Sequence, residues 1–200
     1  VHAFGEGYGT KVGGREIFAY VPRSTLGKLE QLTLSGYAYA HTFTVDGPLN
    51  EADAYITTPN VGSGGSSTGW RNVVLGTAGA GAKTVFAINA TDPTSYSGKS
   101  VLWEINADSA FPTVSTNAST AFQNLGHVFS PVQSGITASG DWVSIFGNGF
   151  GSSSGKASLF IVETSTGKLL KEITTDSSTN NGLGGVRLVQ NSQKQIIGAY

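Results

Sequence analysis

The sequence predicts an all-β fold built from repeated antiparallel meanders, and three observations carry that expectation. First, residues 140–173, GDWVSIFGNGFGSSSGKASLFIVETSTGKLLKEI, read as three consecutive strands at 142–147, 157–164 and 168–173, joined by a Gly/Ser turn and by Ser165-Thr166-Gly167. The middle strand alternates, with Leu159, Ile161 and Glu163 on one side and Ser158, Phe160 and Val162 on the other, the period of a half-buried strand. Second, the later part of this stretch recurs: VFAINATDP, a short loop and then GKSVLW at 85–103 share its grammar, and VHAF followed by GREIFAY at 1–20 is a third copy. Third, 28 glycines among 200 residues, with abundant Ser, Thr and Asn and 10% aromatics, suit short strands joined by tight turns, because Gly takes positive φ and hydroxyl and amide side chains cap loops locally. Gly14, Gly98 and Gly167 align at intervals of 84 and 69 residues, longer than common blade repeats unless loops are inserted. A repeated meander set radially is a blade. The expectation is therefore part of a β-propeller with four-stranded antiparallel blades, about two of them complete and two partial.

Taken in order, residues 1–22 supply two strands around the glycine-rich GEGYG loop, ending at Pro22, as the end of one blade. Residues 23–31, RSTLGKLEQ, form the one plausible helical turn, weakened by Gly27. A second blade with insertions spans 32–105. It opens with aromatic and β-branched residues over 32–46, turns at Asp46-Gly47-Pro48, and continues with strands at 52–57, 70–77, 83–89 and 99–105. A third blade spans 126–174, its first strand at 128–136, and the front of a fourth spans 182–200, with strands at 186–190 and 195–200. The chain begins and ends inside strand-like segments, so it is expected to be a piece of a longer protein whose other blades complete the disc.

Charge and composition narrow the chemistry. Net charge is −1 and the twelve basic residues are scattered, so neither a nucleic-acid footprint nor a basic membrane-binding face is present. No apolar run approaches the length of a membrane-spanning helix, and direct membrane insertion is not expected. Without cysteine there are no disulfides, thiolate metal sites or cysteine nucleophiles. His2, His41 and His127 stand apart from one another and match no zinc spacing. His41, between aromatics and close to Asp46, suits a buried hydrogen-bonded role better than a catalytic one. Asp46, Asp53 and Asp92 are spread through turns without calcium-loop spacing. GNGFG at 147–151 has no helix behind it to hold a phosphate and reads as a turn at a strand end, with Asn148 structural. The Asn-x-Ser/Thr sequons at Asn89 and Asn117 carry meaning only in a glycosylating host. No catalytic, cofactor-binding or metal-binding residue is assigned.

Between Ile88 and Trp103, an Ala-x-Asp-like turn, then Gly-Lys, then Trp resembles the docking motif of quinoprotein-like propellers, in which the Gly permits a tight turn and the Trp packs flat on the neighbouring blade. Trp103 fits that motif; Ala19 and Glu172 at the equivalent positions do not. The motif is architectural in many non-enzymes, so Trp70, Trp103, Trp142, Gly98 and Gly167 are read as structural residues.

In series, VHAF, GREIFAYVP, AHTFTVDGPLNEADAY, GWRNVVLGTAGAGAKTVFAINATDP, VLWEI, LGHVFSPV, FGNGF and NGLGGVRLV resemble the C-terminal propeller of the PilC/PilY family of type IV pilus biogenesis factors and tip adhesins, over essentially the whole chain. The resemblance implies an exported protein of a Gram-negative bacterium, at the pilus tip, cell surface or outer membrane. It also implies non-enzymatic work without a cofactor: pilus assembly or retraction control, adhesion to a host-cell or other surface ligand, and docking on minor pilins or the pilus tip complex. Members commonly carry an Asp-rich calcium loop in the turn after NGLGGVRLV. Here that turn holds Asn191, Ser192, Gln193 and Lys194, no carboxylate and one cation, so calcium is not expected at it.

Blade-top loops are free to vary on a stiff disc, so partner recognition is expected in the loops 60–69, 106–126 and 175–185, with Asn60, Ser63, Asn106, Phe111, Asn117 and Asn180 as candidates. Two other readings remain open: a quinoprotein-like dehydrogenase fragment, whose metal and base would have to come from other blades, and a periplasmic scaffold propeller for outer-membrane assembly, which has less use for long polar insertions.

Overall fold

The computed structural model describes residues 1–7, 13–107, 117–118, 120–176 and 178–200, together with the backbone of 109–111. Among the described residues, thirteen strands form four antiparallel sheets. β1 (His2–Phe4) pairs with β2 (Glu16–Ala19). The next sheet runs β3 (Leu49–Pro59), β4 (Ser66–Thr77), β5 (Thr84–Asn89), β6 (Val101–Asn106) and a short fifth strand, β7 (Ser109–Phe111). A four-stranded sheet follows in the order β8 (Gln133–Ile136), β9 (Trp142–Gly147), β10 (Ala157–Glu163) and β11 (Leu169–Asp176). The last pair is β12 (Leu188–Gln190) with β13 (Ile196–Ala199).

The two larger sheets stack on one core. Ala54, Ile56, Val73, Leu75, Ala87 and Trp103 from the first sheet meet Val132, Phe146, Phe160 and Val162 from the second, with Phe122 and Leu125 of the connecting segment between them. The alternation read in β10 is the observed one: Ser158, Phe160 and Val162 are buried, while Leu159, Ile161 and Glu163 are half-buried on the other face. That other face meets a smaller cluster, in which Val143, Ile145 and Val186 pack with Leu188 and Ile196 of the last pair.

Trp103 joins the two sheets. It is fully buried, and its indole N–H donates to the Thr164 carbonyl at 2.9 Å. Gly167 lies against the ring at φ 73°, where a built Cβ would stand 2.7 Å from Trp103 Cγ. Gly167 is therefore required twice, by its left-handed backbone and by the approach of the indole. Gly98 differs: it sits in a short 3-10 turn (Gly98–Ser100), a side chain there would meet nothing within 4 Å, and the turn is capped instead by Ser97 and Ser100. Its expected role as a turn-permitting glycine is thus corrected; this turn is made by hydroxyl capping.

Three other expectations change. Residues 32–46 form no strand. A 3-10 helix runs over Arg23–Thr33, a second covers Tyr37–Tyr39, and strand begins only at Leu49. The helix starts there because the Arg23 and Ser24 amides, which no helical carbonyl can satisfy, donate to the Glu104 carboxylate at 2.8 and 3.1 Å. His41 is exposed and lies between the rings of Tyr37 and Phe43, so it is not a buried histidine. The segment 106–126 is not a free insertion either. It adds β7 to a sheet edge and then sends Phe122 and Leu125 into the core, Phe122 lying 5.8 Å from the Phe160 ring.

Trp103→Ala is expected to lower stability by about 3–5 kcal/mol, as for other buried aromatic truncations. Gly167→Ala is expected to cost about 1–3 kcal/mol through strain at positive φ and contact with the indole. Urea unfolding followed by tryptophan fluorescence, on the full-length protein that contains this segment, measures both; a Gly167→Ala variant as stable as the parent would contradict the packing described.

Candidate functional site

β6 carries anchors on both faces. While Trp103 points to the following sheet, Glu104 points the other way and is 1% exposed. Its Oε2 accepts from Tyr20 Oη at 2.7 Å and from the Arg23 N–H, and its Oε1 accepts from the Ser24 N–H. A buried carboxylate is costly unless hydrogen-bonded, and three donors serve this one. Burial first, and then the hydrogen bond to Glu104, push the Tyr20 phenol well above its ordinary pKa. Sequence reasoning passed over Glu104. The signal was a lone carboxylate in the apolar strand VLWEI, but its partners are some 80 residues away.

Asn148 is structural, as expected, and its amide is fully used. Nδ2 donates to the Asn124 and Lys156 carbonyls, both at 2.8 Å, and Oδ1 accepts from Ser158 N at 3.0 Å and Leu183 N at 2.9 Å. Three segments, around Asn124, around Lys156 and Ser158, and around Leu183, converge on one side chain. Gly149 beside it, at φ 69°, lets the backbone pass where a Cβ would stand 2.0 Å from the His127 carbonyl oxygen.

The loop candidates separate. Asn60 and Ser63 sit in the tip between β3 and β4. Asn60 Nδ2 donates to the Gly64 carbonyl and its Oδ1 accepts from Ser67, while the Ser63 carbonyl accepts from Lys99 Nζ at 2.6 Å. A polar cleft of about 180 Å³ opens below this tip, with Arg71, Asn89 and Asp92 in its walls. Hydroxyl bonds from Thr94 and Ser95, with the backbone N–H groups of the same two residues, hold the Asp92 carboxyl below its usual value. Asn106 closes β6, and the side chain of Phe111 lies outside the described residues. Asn117 is not presented to a partner: its Oδ1 accepts from Leu169 N at 2.9 Å, which fastens the connecting segment to β11. Asn180 stands exposed at φ 59° in a loop whose Asp176 carboxyl is held down in pKa by the backbone and hydroxyl of Ser178 and by the Asn181 amide.

Trp142 is half-buried at the start of β9, and Trp70 is 61% exposed rather than packed inside a blade. Trp70 pairs across strands with Tyr55 and touches Trp142 edge to face. Its expected structural role is corrected to a surface one, because the long β3–β4 hairpin carries it out beside Tyr55, which is itself 52% exposed. Among the described residues no three His, Asp or Glu gather as metal ligands, and no helix is long and apolar enough to cross a membrane.

The model of the PilY1 beta-propeller domain matches residues 1–199. This chain belongs to that family. It is 33% identical over 192 residues to the type IV pilus biogenesis factor PilY1 of Pseudomonas aeruginosa, covering 94% of this chain and 14% of that protein. It is 34% identical over 160 residues to a PilY1 homolog of Xylella fastidiosa, covering 80% of this chain and 9% of the homolog. The crystal structure of the P. aeruginosa PilY1 C-terminal domain superposes with a TM-score of 0.69 at 28% identity, over 94% of this chain and 32% of that one. The fold is thus all-β, a segment of the PilY1 propeller, and the chain spans about a seventh or less of the relatives' own length.

The calcium loop implied by the family resemblance does not fit the residues of the β12–β13 turn. Asn191 Oδ1 already accepts from the Gln193 and Gln195 amides at 3.0 and 2.9 Å, Asn191 Nδ2 donates to Gln195 Oε1, and Lys194 sits at φ 64° in place of an acidic ligand. A hard cation needs anionic oxygens, and this turn is closed by its own amides.

Two outcomes are expected. Adding calcium produces no melting shift that Asn191→Ala or Gln193→Ala abolishes, as read by thermal scans with calcium or chelator. At alkaline pH, stability declines as the unfolded Tyr20 phenol begins to ionise near its ordinary value of about 10, because the folded phenol keeps its proton and only the unfolded state gains by losing it. Tyr20→Phe flattens that alkaline decline and costs about 1–3 kcal/mol at neutral pH through the lost bond to Glu104; urea unfolding between pH 7 and 11 measures both.

Proposed function

We propose that this segment is a non-enzymatic part of an exported type IV pilus biogenesis factor, working as a stiff platform at the pilus tip or outer surface of a Gram-negative bacterium. The observation that carries the reading is membership of the PilY1 propeller family over residues 1–199. In this role the platform supports pilus assembly or opposes retraction by docking on minor pilins or the tip complex, needs no cofactor, and presents its loops to a host-cell or surface ligand.

Physical features support that assignment. A tip protein transmits load, and the stacked core closed by Trp103, Gly167 and the Asn148 clamp resists shear between blades. The tip around Ser63 and the loop around Asn180 stand free of the core and offer polar groups for recognition.

The test is made in a piliated bacterium carrying variants of the full-length protein. Trp103→Ala is expected to reduce surface pili, counted in sheared fractions. Replacing residues 61–65 by a minimal turn is expected to leave pili in place and reduce attachment several-fold. Normal pili and normal attachment after removal of residues 1–200 would overturn the proposal.

A further inference from the structure

The β3–β4 hairpin is longer than its counterpart in the next sheet: β3 and β4 have 11 and 12 residues, β8 and β9 only 4 and 6. The surplus carries Tyr55, Thr57 and Trp70 alongside the turns of the following sheet. There a cleft of about 380 Å³ lies between the hairpin and residues 140–142 and 163–166. Tyr55 and Trp142 form its aromatic wall, and Trp70 stands beside them, meeting Tyr55 edge to face at 5.7 Å and Trp142 edge to face at 5.8 Å. Its polar wall carries Asp141, Glu163 and Ser165.

The hydrogen-bonding groups of this cleft are left open in a particular way. Asp141 Oδ2 accepts from Ser139 at 2.6 Å and Glu163 Oε2 accepts from the Thr166 hydroxyl, which leaves Oδ1 and Oε1 as acceptors. Among the described residues, Tyr55 Oη, Ser165 Oγ and the indole N–H groups of Trp70 and Trp142 have no hydrogen-bond partner. Open donors and carboxylate acceptors therefore lie together beside aromatic rings.

We propose that this cleft binds a neutral oligosaccharide. A pyranose offers what each wall lacks. Its C–H face lies on an exposed indole or phenol ring, where apolar contact and the negative ring face favour it. Each of its hydroxyls donates to a carboxylate and accepts from an indole or hydroxyl donor, and bonds to an ionised partner are the stronger kind. Charge selects further: two carboxylates and no Lys or Arg line the cleft, which disfavours sialylated or phosphorylated sugars. A quaternary ammonium group fits less well. The three rings press edge to face on one another instead of boxing an empty centre, and such a ligand has no use for the open donors.

This inference names a ligand class for the adhesive role proposed above and rests on that reading. Its test is independent of adhesion. Chitotetraose, maltotetraose and lacto-N-tetraose are titrated into the full-length protein by saturation-transfer NMR and calorimetry, with choline and a sialylated tetrasaccharide in parallel. At least one neutral tetrasaccharide is expected to bind. Tyr55→Ala, on the cleft wall at an exposed position that threatens no core, is expected to weaken it about tenfold or more. Glu163→Gln, which keeps the shape and removes the charge, weakens it several-fold. Binding of none of the three, equal binding by Tyr55→Ala, or binding of choline or the sialylated sugar in place of the neutral ones overturns the proposal. Sugar binding that survives while attachment of the bacterium does not depend on the segment would sink the adhesive reading and leave the site standing.

Discussion

The contact on which the rest of the structure depends is the indole of Trp103 lying on the backbone of Gly167. Two antiparallel sheets have flat apolar faces and little to fix how one slides over the other. The indole removes that freedom, because its ring needs a residue without Cβ beneath it and its N–H needs the Thr164 carbonyl at the same time. Once these are met, Phe146, Phe160 and Val162 find their places against Leu75, Ala87 and Ile105. On the reverse face of the same strand, Glu104 sets Tyr20 and the start of the 3-10 connector. One strand thus holds a neighbour on each side, by dispersion on one face and by charge-assisted hydrogen bonds on the other.

That arrangement explains where variable chemistry can sit. Trp103 clamps the two larger sheets, and the Asn148 amide ties the connecting segment and the loop at Leu183 to the second of them, so the long β3–β4 hairpin can extend beyond its neighbour without loss of the core. Two clefts of different character border the hairpin, one polar around Arg71 and Asp92, the other aromatic and acidic around Tyr55, Trp142 and Glu163. Rigid scaffolding beneath a projecting element is what recognition requires, because little conformational entropy remains to be lost on binding.

Much of the fold was legible in the sequence wherever local pattern and local partner coincide. Strand β9 and the alternation of β10 follow from spacing alone, since hairpin neighbours lie close along the chain. Legibility ended at 32–46, where aromatic and β-branched residues suggested strand but no sheet edge accepts them, and a carboxylate from β6 caps a 3-10 helix instead. It ended again at 106–126, where polar composition hid Phe122 and Leu125, two side chains that the core claims.

By itself, the sequence determined the all-β class, the meander repeat, the Trp103 docking role and the family, because each is written in short-range periodicity or in motifs read in series. Tertiary structure alone decided which glycine is indispensable, which asparagine is a clamp, and which tryptophan faces water. Gly98 and Gly167 look alike in sequence, as do Trp70 and Trp103; they differ only in what a distant segment places against them. The candidate site belongs to that second class. Tyr55, Asp141 and Glu163 are remote along the chain and meet only when two sheets stack, since long-range packing and not local propensity brings such groups within reach of one ligand.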